Sequence, residues 1–420
     1  MEDIDSFLED FLKDIDLSDD TTTEKPSDDA EELFVIPDKM PEVDPKEEIP
    51  RVIYTEISKI KKPETKAEEV YSGNRFLSVL GKIGLILLET VLLVAIALYG
   101  VMFVLAKGPS PTARDLFVRS VRETSAVGFL ANLYFSEEEI AKIEAAAEVE
   151  EYEEVDTSLI QIVKPESDNS ASGPVADAWG LVDEDGDGLI LEPVKGEGYS
   201  GFMLVVQDPS RVIMGSVPES FGGMGYTVEE MVKKFDAVAG INAGGFYDPD
   251  GTGNGSIPDS LTVYDGKVYY AGMGVQAGFV GLDNNNILHV GKLTQKEIEE
   301  RNIQYGVSFG PVLIVNGEVA LAENNIGGLN PRTAIGQRSD GAILMLVIDG
   351  RQAISIGATY MDLVEIFLEY GAVNACNLDG GSSTMMWFGD GYVNNCASVI
   401  GIRPVPTTFL VLKEGRNSNG

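Results

Sequence analysis

Five loops in the second half of the chain combine glycine with polar side chains. Small residues let a ligand approach the backbone, and successive N–H groups can then bind an anion. The loops read GINAGGF from residue 240, SFGP from 308, NPRTAIG from 330, VIDGR from 347 and NLDGGSST from 377. A single loop of this kind is an ordinary tight turn. Five of them between residues 240 and 384 indicate a binding or catalytic site.

Three arginines lie in or beside these polar loops: Arg332, Arg351 and Arg403. Residues 201–420 carry 13 basic and 23 acidic side chains, so this part of the chain is itself acidic. Arginines concentrated in polar loops of an acidic domain indicate the capture of a phosphate or carboxylate group. Ion pairs with Asp349 or Asp379 would explain the same arginines as structural residues.

The composition excludes several kinds of chemistry. The 420 residues have a formal net charge of −37, which argues against a nucleic-acid-binding protein. Two cysteines are too few for a disulfide scaffold or a cysteine-rich zinc module. The single histidine, His289, precludes a histidine-clustered metal site. Because it stands in the apolar run ILHV, we interpret it as a buried strand residue and not as a catalytic base.

Hydrolytic chemistry without histidine or thiol requires carboxylates, as glycosidic cleavage does. Asp379 and Asp349 are the leading candidates among the loop carboxylates, and Asp248 is the third. Asp379 suits a proton donor, a base or a nucleophile, although an aspartate that holds a tight turn would look the same. A serine hydrolase using Ser382 or Ser383 is disfavoured, because no Gly-x-Ser-x-Gly elbow surrounds either serine.

Strands and helices of mixed order must position these loops. Turn pairs at Asp208-Pro209, Asp265-Gly266, Asn316-Gly317 and Asp390-Gly391 predict hairpins. Capping residues predict helices that begin at Thr227 and Thr359, and each helix leads into an apolar strand, 237–241 or 372–378. The sequence therefore predicts an α+β domain over 156–420, with a mixed, largely antiparallel sheet and flanking helices.

The loop sequences also resemble a known family. The phrases INAGGFYD, SFGPVLIVNG, NPRTAIG, VIDGR, NLDGGSSTMM and RPVPTTFLV, in this order, are similar to the phosphodiester glycosidase family over about residues 195–413. The resemblance implies hydrolysis of a sugar 1-phosphodiester, a reaction that requires no cofactor. It implies catalytic residues at Asp379 and Asp349. The expected substrate-binding residues are Asn242, Gly244, Gly245, Arg332, Thr333, Arg351, Gly380, Gly381, Ser382, Ser383 and Arg403. A non-catalytic protein of the envelope, for glycan binding or exopolysaccharide assembly, is the alternative.

The segment before this domain contains a candidate membrane span. Ile83 to Leu105 is apolar apart from Glu89, which is long enough to cross a bilayer core and lies too far from the N-terminus for a cleaved signal peptide. Basic residues are slightly more frequent before the span than after it, which places the C-terminal domain outside the cell membrane. We therefore expect a transmembrane helix over 81–106, a helical stalk and linker over 107–155 that begins at Ser110-Pro111, and an extracytoplasmic glycan as substrate.

The first 50 residues contain 19 acidic and 4 basic side chains. This composition predicts a disordered acidic cytoplasmic tail over 1–75. Apolar residues from Ile4 to Ile15 follow helical spacing, which fits either a transient helix or a docking helix for a cytoplasmic partner.

Two smaller features carry predictions of their own. Asp183, Asp185 and Asp187 follow the spacing of the first half of a calcium loop. The twelfth position is valine, so a solvated acidic turn competes with a structural Ca²⁺ site. Cys376 and Cys396 lie on either side of the Asp379 loop, either as a disulfide or as two buried thiols.

Overall fold

The computed structural model describes residues 72–124, 127–146, 149, 151–163, 176–248, 254–259, 261–269, 278–322 and 325–415. The predicted acidic tail and its docking helix lie outside these residues. The chain divides into two units, Met1–Leu80 and Gly81–Gly420. The first turns of the first helix, over residues 72–80, belong to the first unit, and everything else described below belongs to the second.

Helices of very different length occupy the described residues. The helix bounds are α1 Ser72–Lys107, α2 Pro111–Arg122, α3 Phe129–Asn132, α4 Glu137–Ala145, α5 Val228–Lys234, α6 Gln295–Glu300 and α7 Tyr360–Glu369.

The strands of the described residues form three sheets. Their bounds are β1 Leu189–Gly196, β2 Tyr199–Val206, β3 Val212–Ser216, β4 Ala237–Asn242, β5 Thr262–Tyr264, β6 Lys267–Tyr269, β7 Phe279–Asp283, β8 Leu288–Gly291, β9 Ile303–Val307, β10 Val312–Val315, β11 Glu318–Val319, β12 Arg332–Arg338, β13 Ile343–Ile348, β14 Ala372–Leu378, β15 Met386–Phe388, β16 Gly391–Tyr392 and β17 Thr407–Leu412.

The sheet orders are β1-β2-β13-β12-β14-β10-β11, β16-β15-β4-β17-β3 and β6-β5-β9-β7-β8. Every pairing between these strands is antiparallel. The α+β class is confirmed, and the described pairings contain no parallel component. One apolar core joins side chains from all three sheets, including Leu204 of β2, Ile241 of β4 and Val280 of β7. The sheets therefore form one body around a shared interior.

Locally encoded elements follow the predictions closely. Thr227 and Thr359 each accept a hydrogen bond from the backbone N–H three residues later, within reciprocal capping boxes. The Asp265-Gly266 and Asn316-Gly317 turns have positive φ at both central residues and join paired strands, as two-residue hairpin turns require.

The hairpin predicted at Asp208-Pro209 is wrong. This pair begins a 3₁₀ turn over Pro209–Arg211, in which the Asp208 side chain accepts a hydrogen bond from the Ser210 N–H. The strands on either side, β2 and β3, belong to different sheets. An Asp-Pro turn satisfies its own backbone whether or not its flanking strands pair with each other, so the local pattern could not tell the two cases apart.

The candidate span and the stalk are both helical. Val79–Lys107 contains an 18-residue window with a mean hydropathy of 2.4 and no buried residue, so its length and composition would allow it to cross a membrane. Ser110 caps α2, with Pro111 as its first residue. A capping box between Ser136 and Glu139 begins α4, as predicted.

The three aspartates of the candidate calcium turn lie together before β1. One carboxylate oxygen from each of Asp183, Asp185 and Asp187 lies within 4.8 Å of the others. Asp183 also accepts hydrogen bonds from the N–H groups of Gly186 and Gly188, and these bonds would hold the turn without an ion. Burial, followed by the charges of Asp185 and Asp183, raises the pKa of Asp187.

The two thiols are separate in this structure. Cys376 is buried in β14 and Cys396 is partly exposed, and both are free. Burial raises the pKa of the Cys376 thiol well above its usual value. Cys376 packs in the central core, whereas Cys396 packs against a different cluster beside α5. The structure therefore shows two free cysteines and not the disulfide considered above.

The calcium turn gives the first testable prediction. If the three carboxylates bind Ca²⁺, millimolar calcium should raise the melting temperature of the full chain by about 2 °C or more, because the ion binds only the folded turn. Asp185→Ala should abolish the shift, whereas Glu184→Ala, in the same turn but outside the cluster, should retain it. An unchanged melting temperature in the wild-type chain would show that the turn is a solvated acidic turn that binds no Ca²⁺ at this concentration.

Candidate active site

A cavity of about 400 Å³ lies beyond the C-terminal end of β14. Eighteen residues line it, of which nine were predicted from the sequence as catalytic or substrate-binding residues. These nine are Gly245, Arg332, Arg351, Asp379, Gly380, Gly381, Ser382, Ser383 and Arg403, and the third-ranked carboxylate Asp248 brings the shared set to ten. The further lining residues are Glu123, Thr124, Phe246, Asp259, Phe309, Asn330, Tyr360 and Asn377.

Asp379 sits at the floor of this cavity, directly after β14. Its backbone N–H donates to the Ala243 carbonyl at 2.9 Å, and its own carbonyl accepts from the Asn242 side chain, so two hydrogen bonds fix the residue to the end of β4. Burial raises the pKa of Asp379 to about 7. The negative charges of Asp248 and Asp259 raise it further, while a hydrogen bond with Ser383 and the charge of Arg403 lower it. The carboxyl therefore changes protonation state near neutral pH.

Asn242 and Thr333 lie behind the cavity floor and do not line it. Asn242 has no exposed surface, and its Oδ1 accepts hydrogen bonds from the Thr333 hydroxyl at 2.8 Å and from the Met385 N–H at 3.1 Å. Gly244 is also behind the floor, where its N–H donates to Thr407. These three predicted substrate-binding residues hold the floor in place in this structure.

Asp349 is brought to the same region but does not line the cavity. Its carboxylate accepts hydrogen bonds from the side chains of Asn394 and Asn395 and from the Asn395 N–H, the last two at 2.7 and 2.9 Å. Its carbonyl accepts a bond from the Ser355 hydroxyl at 2.6 Å. The geometry therefore gives Asp349 a role in holding its own loop to the loop that carries Asn394 and Asn395.

Arg332 is buried with only 4% of its surface exposed. Its guanidinium forms an ion pair with Glu123 at 2.7 Å, donates to the Ala358 carbonyl at 3.0 Å and lies 4.1 Å from the centre of the Tyr360 ring. Burial, and then the charge of Glu123, raises the pKa of Tyr360 to about 12, so this phenol stays neutral. The charge of Arg332 is thus already balanced within the protein.

Arg403 is balanced in the same way. It forms an ion pair with Asp248, and its guanidinium lies 5.0 Å from the centre of the Phe246 ring. The pair neutralises one carboxylate close to Asp379, and Asp379 itself, which is half-buried, has no arginine bound to it among the described ion pairs.

Arg351 differs from both neighbours because it makes no ion pair with any carboxylate of the described residues. Its guanidinium donates to the hydroxyls of Thr124 at 2.9 Å and Ser382 at 3.2 Å, and to the Asn330 side-chain oxygen at 3.2 Å. Burial, followed by the charge of Arg332, lowers the pKa of Arg351, but a guanidinium remains charged at neutral pH. The cavity therefore presents one cation to an anionic ligand.

The glycines beside Asp379 leave room for this arrangement. A Cβ on Gly380 would lie 2.7 Å from the Pro331 carbonyl oxygen, and Gly381 has a φ of +59° with Arg351 3.2 Å from the position of a Cβ. A side chain at either position would therefore displace the backbone or the guanidinium.

The sequence-based reasoning missed the stalk residues Glu123 and Thr124 altogether. They follow α2 immediately, far from the polar loops in sequence, and nothing in their local pattern distinguishes them from an exposed helix end. The aromatic residues Phe246 and Phe309 were present in the quoted loop motifs, so their position beside the glycines was the available indication.

Comparisons with known proteins agree with this geometry. Residues 235–412 match the family model for phosphodiester glycosidase. The SPbeta prophage-derived uncharacterized protein YomE of Bacillus subtilis strain 168 is 30% identical over 187 residues, which cover 41% of this chain and 28% of that protein. The N-acetylglucosamine-1-phosphodiester alpha-N-acetylglucosaminidase of Mus musculus is 25% identical over 211 residues, which cover 45% of this chain and 40% of that protein.

Among solved structures, the catalytic domain of the zebrafish N-acetylglucosamine-1-phosphodiester alpha-N-acetylglucosaminidase, auto-inhibited by its pro-peptide, is similar to this chain. It has a TM-score of 0.44 and 20% identity, over 54% of this chain and 82% of that one. The chain spans less than half the length of the curated relatives described above. The loop motifs and most of the cavity that they build fall within residues 235–412, and this part of the chain is similar to the phosphodiester glycosidase family.

Proposed function

We infer that the chain hydrolyses the glycosidic bond of sugar 1-phosphodiesters, with an N-acetylglucosamine-like sugar as the class suggested by the names of its mammalian relatives. The observation that carries this inference is one cavity lined both by Asp379, with a pKa raised to about 7, and by Arg351, a cation without an ion-pair partner among the described residues. A phosphodiester carries a single negative charge and would supply the anionic partner that the Arg351 guanidinium lacks among the described residues.

The substrate phosphate would bind at Arg351 and the hydroxyls of Ser382 and Ser383. All three residues line the cavity, and Ser382 already accepts a hydrogen bond from Arg351. The sugar would then occupy the part of the cavity bounded by Phe246, Phe309 and Asp379, where ring faces can cover the apolar side of a sugar. This orientation directs the anomeric carbon toward Asp379.

Asp379 would act as a base in its ionised form. The leaving group is a phosphate monoester, whose second pKa is about 6, so it departs at neutral pH without receiving a proton from the enzyme. The reaction then needs a carboxylate to take a proton from the attacking water. This explains why one unpaired carboxylate suffices in a cavity where Asp248 is bound to Arg403 and Asp349 is held by asparagines.

We also propose that α1 anchors the chain in a membrane, with the stalk and the catalytic domain on the extracytoplasmic side and a glycan of the cell envelope as substrate. The apolar length of α1 and the slight excess of basic residues before it support this orientation. Protease added to intact cells should then remove the C-terminal domain and spare the N-terminal tail, and the reverse pattern would overturn the orientation.

Asp379→Asn tests the reaction directly. The amide keeps the shape of the side chain but cannot accept a proton, so release of free sugar from a synthetic N-acetylglucosaminyl 1-phosphodiester should fall by about 100-fold or more. Asp349→Asn, the matched control, should lower stability more than turnover. Wild-type protein that binds the diester without releasing sugar would favour the alternative, a glycan-binding protein.

The stability of the Asp379→Asn variant can be measured separately from its activity. A carboxyl whose pKa is about 7 when folded and about 4 when unfolded destabilises the native state progressively as pH rises through that interval. Asp379→Asn should therefore remove part of this loss, and urea denaturation at pH 5 and pH 8 should show a smaller difference in unfolding free energy than in the wild type.

The pH dependence of turnover distinguishes a base from an acid. If ionised Asp379 is the active form, kcat should rise as pH increases through about 7 and should level off above it. A kcat that falls through the same interval would show that the protonated carboxyl is required, and would reverse the role assigned to Asp379.

Arg351→Lys tests the binding of phosphate. The lysine keeps the charge but loses the planar, bidentate geometry, so KM should rise by about tenfold while kcat changes much less. Arg301→Lys, outside the cavity, is the matched control and should leave both constants unchanged. An unaltered KM in Arg351→Lys would place the phosphate elsewhere in the cavity.

A further inference from the structure

The stalk connects the candidate span to the active site through direct contacts on both sides. At the span, the Tyr134 hydroxyl donates to the Tyr99 carbonyl at 3.2 Å, and the two rings lie 5.3 Å apart. Lys107, the last residue of α1, lies 4.2 Å from the centre of the Phe135 ring. Tyrosine and lysine at the end of an apolar helix are typical of the bilayer interface, and here the stalk packs on these residues.

At the active site, the same stalk forms part of the cavity wall. Ser120 accepts a hydrogen bond from the Leu329 N–H at 3.0 Å, Glu123 binds Arg332, and Thr124 binds Arg351. A Cβ on Gly328 would lie 2.5 Å from the Ser120 Cα, so the stalk backbone packs closely against the loop that leads into Arg332.

These contacts limit how far the cavity can be from the end of the span. Three residues, Gly108 to Ser110, separate α1 from α2 and reach at most about 10 Å. The 12 residues of α2 add about 18 Å. Glu123 follows at once, so the cavity wall lies within about 30 Å of the apolar end of α1. A linker this short keeps the cavity close to the membrane surface.

The loops that supply Arg351 and Arg403 also expose aliphatic side chains. Ile354 is 82% exposed, and Val399 and Ile400 are 101% and 65% exposed. Ile354 lies three residues after Arg351, and Val399 and Ile400 lie a few residues before Arg403. Val399 and Ile400 are adjacent in the chain, and neighbouring exposed aliphatic side chains on a loop of the site can contact another apolar surface.

We propose that the substrate is a lipid-linked sugar phosphodiester embedded in the same membrane. Its charged phosphate and sugar would enter the cavity, and its hydrocarbon chain would remain in the bilayer beside Val399 and Ile400. This inference rests on the proposed function. Water attacks C1 and the C1–O bond breaks: the free sugar keeps the hydroxyl from water, Asp379 takes the remaining proton and later releases it to solvent, and the lipid keeps the phosphate as a monoester.

The test uses the full chain in phosphatidylcholine vesicles with two synthetic substrates. Both carry the same N-acetylglucosaminyl phosphate, esterified to a methyl group in one and to a hexadecyl chain in the other. The hexadecyl diester partitions into the vesicle, so its kcat/KM should exceed that of the methyl diester by about tenfold or more. Equal values for the two substrates would overturn the inference while leaving the proposed function intact, whereas cleavage of neither would overturn the proposed function.

A paired substitution separates membrane contact from chemistry. Val399→Asp with Ile400→Asp should lower kcat/KM for the hexadecyl diester by about fivefold or more and leave the methyl diester within about twofold. Val319→Asp, an exposed aliphatic position on the sheet-edge strand β11, is the control and should alter neither. An equal loss on both substrates, or a preference for a soluble phosphodiester-linked oligosaccharide, would contradict the assignment of a lipid-linked substrate.

Discussion

The buried amide of Asn242 is the constraint on which the active site depends. It accepts hydrogen bonds from Thr333 of β12 and from the Met385 N–H, and it donates to the carbonyl of Asp379. The two large antiparallel sheets, one containing β4 and the other β12 and β14, are thereby joined at one side chain. A buried amide held by three hydrogen bonds is costly to rearrange, so the Asp379 backbone has a fixed position relative to both sheets.

The balance of charge in the cavity follows from this fixed frame. Three arginines and four carboxylates line the cavity. Two ion pairs, Arg332 with Glu123 and Arg403 with Asp248, neutralise most of that charge. The charged residues of the cavity outside these pairs are Arg351 and Asp379, together with Asp259, which is exposed. An acidic domain can in this way bind an anion locally, because the buried pairs cancel while the unpaired cation keeps its full effect.

The sequence predicted those features whose physical cause is local. The capping boxes at Thr227 and Thr359 and the positive-φ turns at Asp265 and Asn316 depend on neighbours within four residues, and each was predicted correctly. Asp208-Pro209 was not, because whether its flanking strands pair is decided by the rest of the sheet. The glycine and arginine loops indicated the cavity, but not which of its charged residues are paired within the protein. The partners that neutralise Arg332 and hold Asp349 come from residues 123 and 394–395, at distances along the chain that no local pattern encodes.

The acidic composition affects how an anionic substrate would reach the cavity. Residues 201–420, with 13 basic and 23 acidic side chains, repel anions in solution, and attraction over long distances would require the opposite sign. Screening limits that repulsion to about 8–10 Å at physiological salt, so it acts on the approach from solution more than on a molecule already at the cavity mouth. A substrate held in the membrane beside the stalk is confined to the surface within reach of the cavity and needs no electrostatic steering. Under the proposed function, anchoring by α1 would supply the encounter with the substrate, and Arg351, which makes no ion pair among the described residues, would supply the binding.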